Sequence, residues 1–137
     1  MSPPALPFVT AFYAALIGFL CVILSLLVIG QRVRKGISIG DGGDTVLARL
    51  TRVFGNFAEY AALALLLFAL VEICGGSRWL VHALGITFVI GRLAHAYGLA
   101  GTLGANAGRT IGMVLTIMSL IVASLTLLGL VTRKVFA

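Results

Sequence analysis

The chain has 137 residues, 61% of them hydrophobic and 10% charged, with a mean hydropathy of +1.16. Soluble domains carry about 25% charged residues, so a soluble globular fold is excluded and an all-α integral membrane protein is expected. The net charge of +6 and pI near 10.2 do not point to nucleic acid: no platform of interleaved aromatic and basic residues accompanies them, and basic residues at span ends anchor helices at anionic headgroups.

A hydrocarbon core about 30 Å thick takes about 20 apolar residues per helical span. That leaves room for four spans in a single domain and for little else. The N-terminus has no basic n-region, so the first apolar stretch is expected to be retained as a span. Span one covers roughly 6–34, with Ala11, Ala14, Ala15 and Gly18 as small packing residues, and it runs into Gln31, Arg32, Arg34 and Lys35. Gly36 to Asp44, GISIGDGGD, has turn and cap chemistry, with Asp44 or Thr45 as the cap of span two. Span two covers about 45–73, and CGGS at 74–77 forms a tight turn. Span three covers about 78–99 with Trp79 as an interfacial anchor, and Gly98 to Gly108 forms a second glycine-rich loop. Span four covers about 109–132 and is closed by Arg133 and Lys134.

Short connections make an up-down-up-down four-helix bundle the default. Arg32, Arg34, Lys35, Arg49, Arg52, Arg92 and Arg109 fall on the side of the first and third loops, and Arg78, Arg133 and Lys134 on the other. The excess of basic residues places the first and third loops in the cytoplasm, with both termini outside. Cys21 lies mid-span and Cys74 at a span end, so no disulfide between them is expected. His82 and His95 are too far apart along one helix to share a metal, and no metal site is expected. Glu72 and Arg78 flank the outer turn and are expected to form a surface pair.

Ionisable groups inside a bilayer are costly and must turn toward protein, water or a ligand. Arg52, Asn56 and Glu59 fall at i, i+4 and i+7, on one helical face, with Tyr60 beside them. Arg92, His95 and Tyr97 lie near the same end of span three. Arg109 opens span four, and Arg32 and Arg34 close span one. All four spans are thus expected to bring polar groups to one level. Guanidinium forks suit carboxylates, Glu59 suits an ammonium group, and Asn56 and Tyr60 suit peptide amides. This inventory fits a small zwitterionic or anionic molecule. A peptide such as glutathione matches it without being singled out by it.

The segment RVFGNFAEY, Arg52 to Tyr60, resembles the R-x-x-x-N-x-x-E-Y signature on the second helix of the MAPEG family, membrane-associated proteins in eicosanoid and glutathione metabolism. GRLAHAYGL, Gly91 to Leu99, is similar to the arginine-containing end of that family's third helix. The resemblance implies a left-handed four-helix bundle assembled as a homotrimer, with glutathione bound between subunits at the cytoplasmic side; the expected location is the cell inner membrane. It assigns glutathione to Arg52, Asn56, Glu59 and Tyr60, joined by Arg32 and by Arg92, His95 and Tyr97. It makes Arg109 the candidate for activating the thiol, with Arg34 as a second candidate. The sequence departs from the pattern at Ala61 and Ala62, where a proline often follows the signature, at Phe54, and at His95, where a phenol is common.

The function implied is glutathione transfer to a lipophilic electrophile, or peroxide reduction, at the membrane. Two alternatives stand beside it: a family member that binds glutathione or lipid without catalysis, and a small oligomeric transporter with Glu59 as the coupling carboxylate. The same polar residues can also act as interhelical pairs that fix packing, with Tyr60 and Tyr97 as packing aromatics.

Overall fold

A computed structural model describes residues 6–101 and 106–136, with the backbone alone for 100 and 101. It contains four helices, α1 (Phe8–Lys35), α2 (Thr45–Ile73), α3 (Arg78–Gly101) and α4 (Ala107–Val135). All four are long and apolar enough to cross a membrane. The chain is a multi-pass membrane protein built as a helical bundle.

Each boundary has a local cause. Gly36 ends α1 in the left-handed region at φ 66°, which a glycine enters without a Cβ penalty. The amide of Ile37 then reaches back to Arg32 O at 3.1 Å. Asp44 caps α2, accepting from Leu47 N at 2.7 Å, from Gln31 Nε2 at 3.0 Å and from Lys35 Nζ at 3.2 Å. One carboxylate thus ties the end of α1 to the start of α2. The Leu47 amide bond, then the Gln31 bond, pulls the Asp44 carboxyl down to about 2. A depressed carboxylate contributes stability above its unfolded pKa of about 3.9 and loses it as pH falls through the folded value. Wild type is therefore expected to melt above Asp44→Asn at pH 6, with the gap closing as pH falls from about 4 to about 2. Differential scanning fluorimetry in detergent checks this.

The second glycine-rich stretch is shorter as a loop than its composition suggests. The α3 helix continues to Gly101 and α4 begins at Ala107, leaving residues 102–105 outside the described set. Asn106 accounts for the start of α4: its Oδ1 accepts from Arg109 N at 3.0 Å and its Nδ2 donates to Gly98 O at 2.6 Å. The cap and the end of α3 are thereby pinned together.

In lipid, helices associate through close packing and polar contacts rather than through expulsion of water. The α3–α4 contact is built that way. A Cβ on Gly112 would collide with the backbone of His95 and the carbonyl of Gly91. Phe68 of α2 meets Phe88 of α3 edge-on at 6.1 Å in the buried core. The α1 helix packs on α2 and α3, α4 packs on α3 and α2, and α1 and α4 do not meet among the described residues. Phe19, Leu26, Ile90 and Leu125 point outward.

At the end opposite Asp44, Glu72 is not the surface partner of Arg78 that its position at the outer turn suggests. It turns to the N-terminus of α1 instead. Its carboxylate accepts from Val9 N at 2.9 Å, and from Thr10 N and Thr10 Oγ1 at 2.8 Å each. Pro7 provides no side-chain cap there, so α2 supplies one from across the bundle. Nearby, Tyr13 of α1 pairs with His82 of α3 at 3.1 Å, and Lys134 of α4 donates to Cys74 O at 3.3 Å. The starts of α1 and α3 thus share a level with the ends of α2 and α4, as alternating helices require.

Candidate functional site

A cleft of about 650 Å³ opens between α2 and α4 near the end that carries the Asp44 loop. From α2 it takes Arg52, Asn56, Glu59 and Tyr60, from α3 His95, and from α4 Arg109. Six of the residues singled out in the sequence therefore meet in one place. The face at i, i+4 and i+7 is graded by depth. Asn56 is 8% exposed, Tyr60 is half-buried, and Arg52 and Glu59 stand open at the rim. Arg109 enters because the Asn106 cap starts α4 at this level, where the helix N-terminus adds partial positive charge.

Four other candidates lie elsewhere. Arg92 is 2% exposed and stands behind the wall rather than on it. Its Nη1 donates to Asn56 Oδ1 at 2.8 Å, and its guanidinium carbon lies 5.5 Å from the Tyr60 ring centre and 5.9 Å from that of Phe88. Tyr97 is 85% exposed on the outer face of α3. Arg32 bonds the Asp44 loop through its Nη1, which donates to Gly40 O at 2.9 Å and more weakly to the carbonyls of Ser38 and Ile37. Arg34 is exposed on α1, the helix that does not touch α4. The cleft is thus built by α2, α3 and α4, while the basic end of α1 shares its level but lies outside it. A smaller hollow there is lined by Arg32, Asp41 and Arg52, so Arg52 borders both spaces.

The cleft has a second wall that sequence reading passed over. Thr110, Met113, Val114, Ile117 and Met118 line it along α4. Their spacing at i, i+3, i+4, i+7 and i+8 is one helical face, and that face continues from Arg109. From Arg109 to Met118 the helix climbs about 13 Å, so the lining passes from guanidinium to thioether and aliphatic groups. The signal was present in the sequence, but in a span that is apolar on every side it does not stand out.

Chemically, the arrangement offers two guanidiniums, one carboxylate, an amide and a phenol at one end of an apolar trough. The volume lies within the roughly 300–1,000 Å³ of small-molecule sites. The polar end suits a ligand with carboxylates and an amine, and the apolar wall suits a lipophilic group beside it.

The MAPEG family model matches residues 10–129, a stretch that includes every residue lining the cleft. The chain is also 38% identical over 90 residues to the inner membrane protein YecN of Escherichia coli strain K12, covering 66% of this chain and 69% of that protein. The YecN of Escherichia coli O6:H1 matches to the same extent. With the four apolar helices and the R-x-x-x-N-x-x-E-Y face in place, these matches establish that the chain belongs to the MAPEG family.

Proposed function

We propose that the α2–α4 cleft binds glutathione and that the protein transfers it to lipophilic electrophiles arriving from the bilayer. The observation that carries this reading is the convergence of Arg52, Asn56, Glu59, Tyr60 and Arg109 at the polar end of a trough whose other wall is apolar. Arg52 takes a ligand carboxylate, Glu59 takes its ammonium group, Asn56 and Tyr60 bond its amides, and Arg109 stands beside the thiol. A free thiol has a pKa near 8.5, so only a few per cent is ionised at pH 7. A guanidinium beside it favours the thiolate. The sulfur lone pair then forms a bond to the electrophilic carbon, and the leaving group departs with the displaced electron pair.

In this reading the protein is a homotrimer of the inner membrane with the Asp44 loop facing the cytoplasm. Glutathione lies between neighbouring subunits, which is how Arg34, remote from the cleft in its own subunit, comes within reach of the thiol. Tyr97, on the outer face of α3, meets the ligand or the neighbour by the same arrangement. Transport with Glu59 as the coupling carboxylate is disfavoured because the polar groups gather at one end, whereas transport sites lie near the midplane.

Titration calorimetry of glutathione into the detergent-solubilised protein tests the binding. Removing one hydrogen bond to a charged group costs about 1.5–3 kcal/mol, so Arg52→Ala and Glu59→Ala are each expected to bind about 10–150-fold more weakly. No heat from the wild-type protein would sink the reading. Conjugation of a chromogenic electrophile separates an enzyme from a binding protein that performs no chemistry.

A further inference from the structure

We infer that Arg92 is a positioning residue: it fixes which end of the Asn56 amide faces the cleft, so that Asn56 presents N–H donors to an amide carbonyl of the ligand. The inference rests on the glutathione-binding reading and assigns a role to a buried arginine that stands behind the cleft wall. The Arg92 guanidinium is buried between α2, α3 and α4. Nη1 donates to Asn56 Oδ1 at 2.8 Å and lies 3.5 Å from Asn56 O, and Nη2 points at Met113 Sδ at 3.9 Å. Its Nε is buried without a partner, and among the described residues no carboxylate lies within ion-pair distance of it.

A guanidinium has five donors and no acceptor. Were the amide turned over, its NH₂ would face those donors, and an acceptor would be lost to a buried cation that already lacks one. The Arg92 side therefore dictates the orientation of the amide. With Oδ1 held inward, Asn56 offers Nδ2 to the cleft that it lines. The same guanidinium sits against the Tyr60 ring, so two of the lining side chains are set by one buried charge. Among the described residues that charge has no carboxylate partner.

The discriminating variant is Asn56→Asp. It keeps the volume and gives Arg92 a charged acceptor, so the melting temperature in detergent is expected to hold or rise. It also removes the N–H groups facing the cleft, and glutathione affinity by calorimetry is expected to fall at least about tenfold. A second test is the cycle of Arg92→Lys in wild-type and Asn56→Ala backgrounds. The substitution is expected to weaken binding about tenfold in the first and less than about twofold in the second, because its effect passes through Asn56. Asn56→Asp binding glutathione like the wild type would overturn the inference while leaving the binding reading intact. Equal losses in both backgrounds would overturn it as well, since Arg92 would then touch the ligand itself. Absence of glutathione binding by the wild type would remove the functional reading, and this inference with it.

Discussion

Replacing Arg109 with alanine is expected to slow glutathione conjugation by about 10²–10³-fold, the cost of removing one preorganised group that stabilises developing negative charge. Glutathione affinity is expected to fall by less than about tenfold, because Arg52, Asn56 and Glu59 remain on the facing helix. The split follows from position. Arg109 lies in the first turn of α4, behind a helix start fixed by Asn106, and next to the apolar wall where an electrophile would lie. Arg52 stands at the rim of the same cleft, away from that wall. Arg109→Lys keeps the charge without the planar fork and is expected to fall between wild type and alanine. Single-turnover conjugation together with calorimetry reads the two effects separately. Unchanged turnover in Arg109→Ala would remove this residue from the mechanism and leave Arg34 as the remaining candidate.

The largest effect on stability is expected at the other end of the molecule. Glu72→Ala leaves the amides of Val9 and Thr10 and the Thr10 hydroxyl without their acceptor, and α1 has no side-chain cap from Pro7 to replace it. Caps contribute about 0.5–2 kcal/mol and hydrogen bonds to a charged group about 1.5–3, so a loss of about 2–4 kcal/mol is expected. Glutathione affinity should be unchanged, since Glu72 lies 13 residues beyond Glu59 along one helix, about 20 Å by helix rise. A melting temperature in detergent equal to that of the wild type would contradict the capping role. Glu72→Gln keeps one acceptor oxygen and is expected to lose part of the same stability.

Membrane residence and the four spans were legible because lipid imposes one rule on every span: about 20 apolar residues, with ionisable groups excluded unless they have a use. The face carrying Arg52, Asn56, Glu59 and Tyr60 was legible for the same reason, since four polar groups in a membrane helix stand out against the background. Asp44 was legible as one of two candidate caps, and the structure selects it over Thr45. The rest depended on which helix touches which. Glu72 reads as a neighbour of Arg78 along the chain, and only the antiparallel packing of α2 on α1 shows that its partners lie more than 60 residues away. Arg92 reads as one more ligand contact, and only the packing of α3 places it behind Asn56, with no carboxylate in ion-pair distance among the described residues.

The amino-acid sequence by itself determined that the protein lives in a bilayer, how many times its helices can cross it, and which residues have no business facing lipid. Tertiary structure alone decided that α4 rather than α1 closes the cleft over α2, because the glycines of α3 and α4 allow a close approach and Asn106 locks it. That choice brings Arg109 and an apolar wall to the polar face, and it leaves Arg32 and Arg34 on the far side. Helix faces are local and periodic, so they can be read from spacing. Which face meets which neighbour depends on small residues and single hydrogen bonds between segments distant in the chain, and no local period records them.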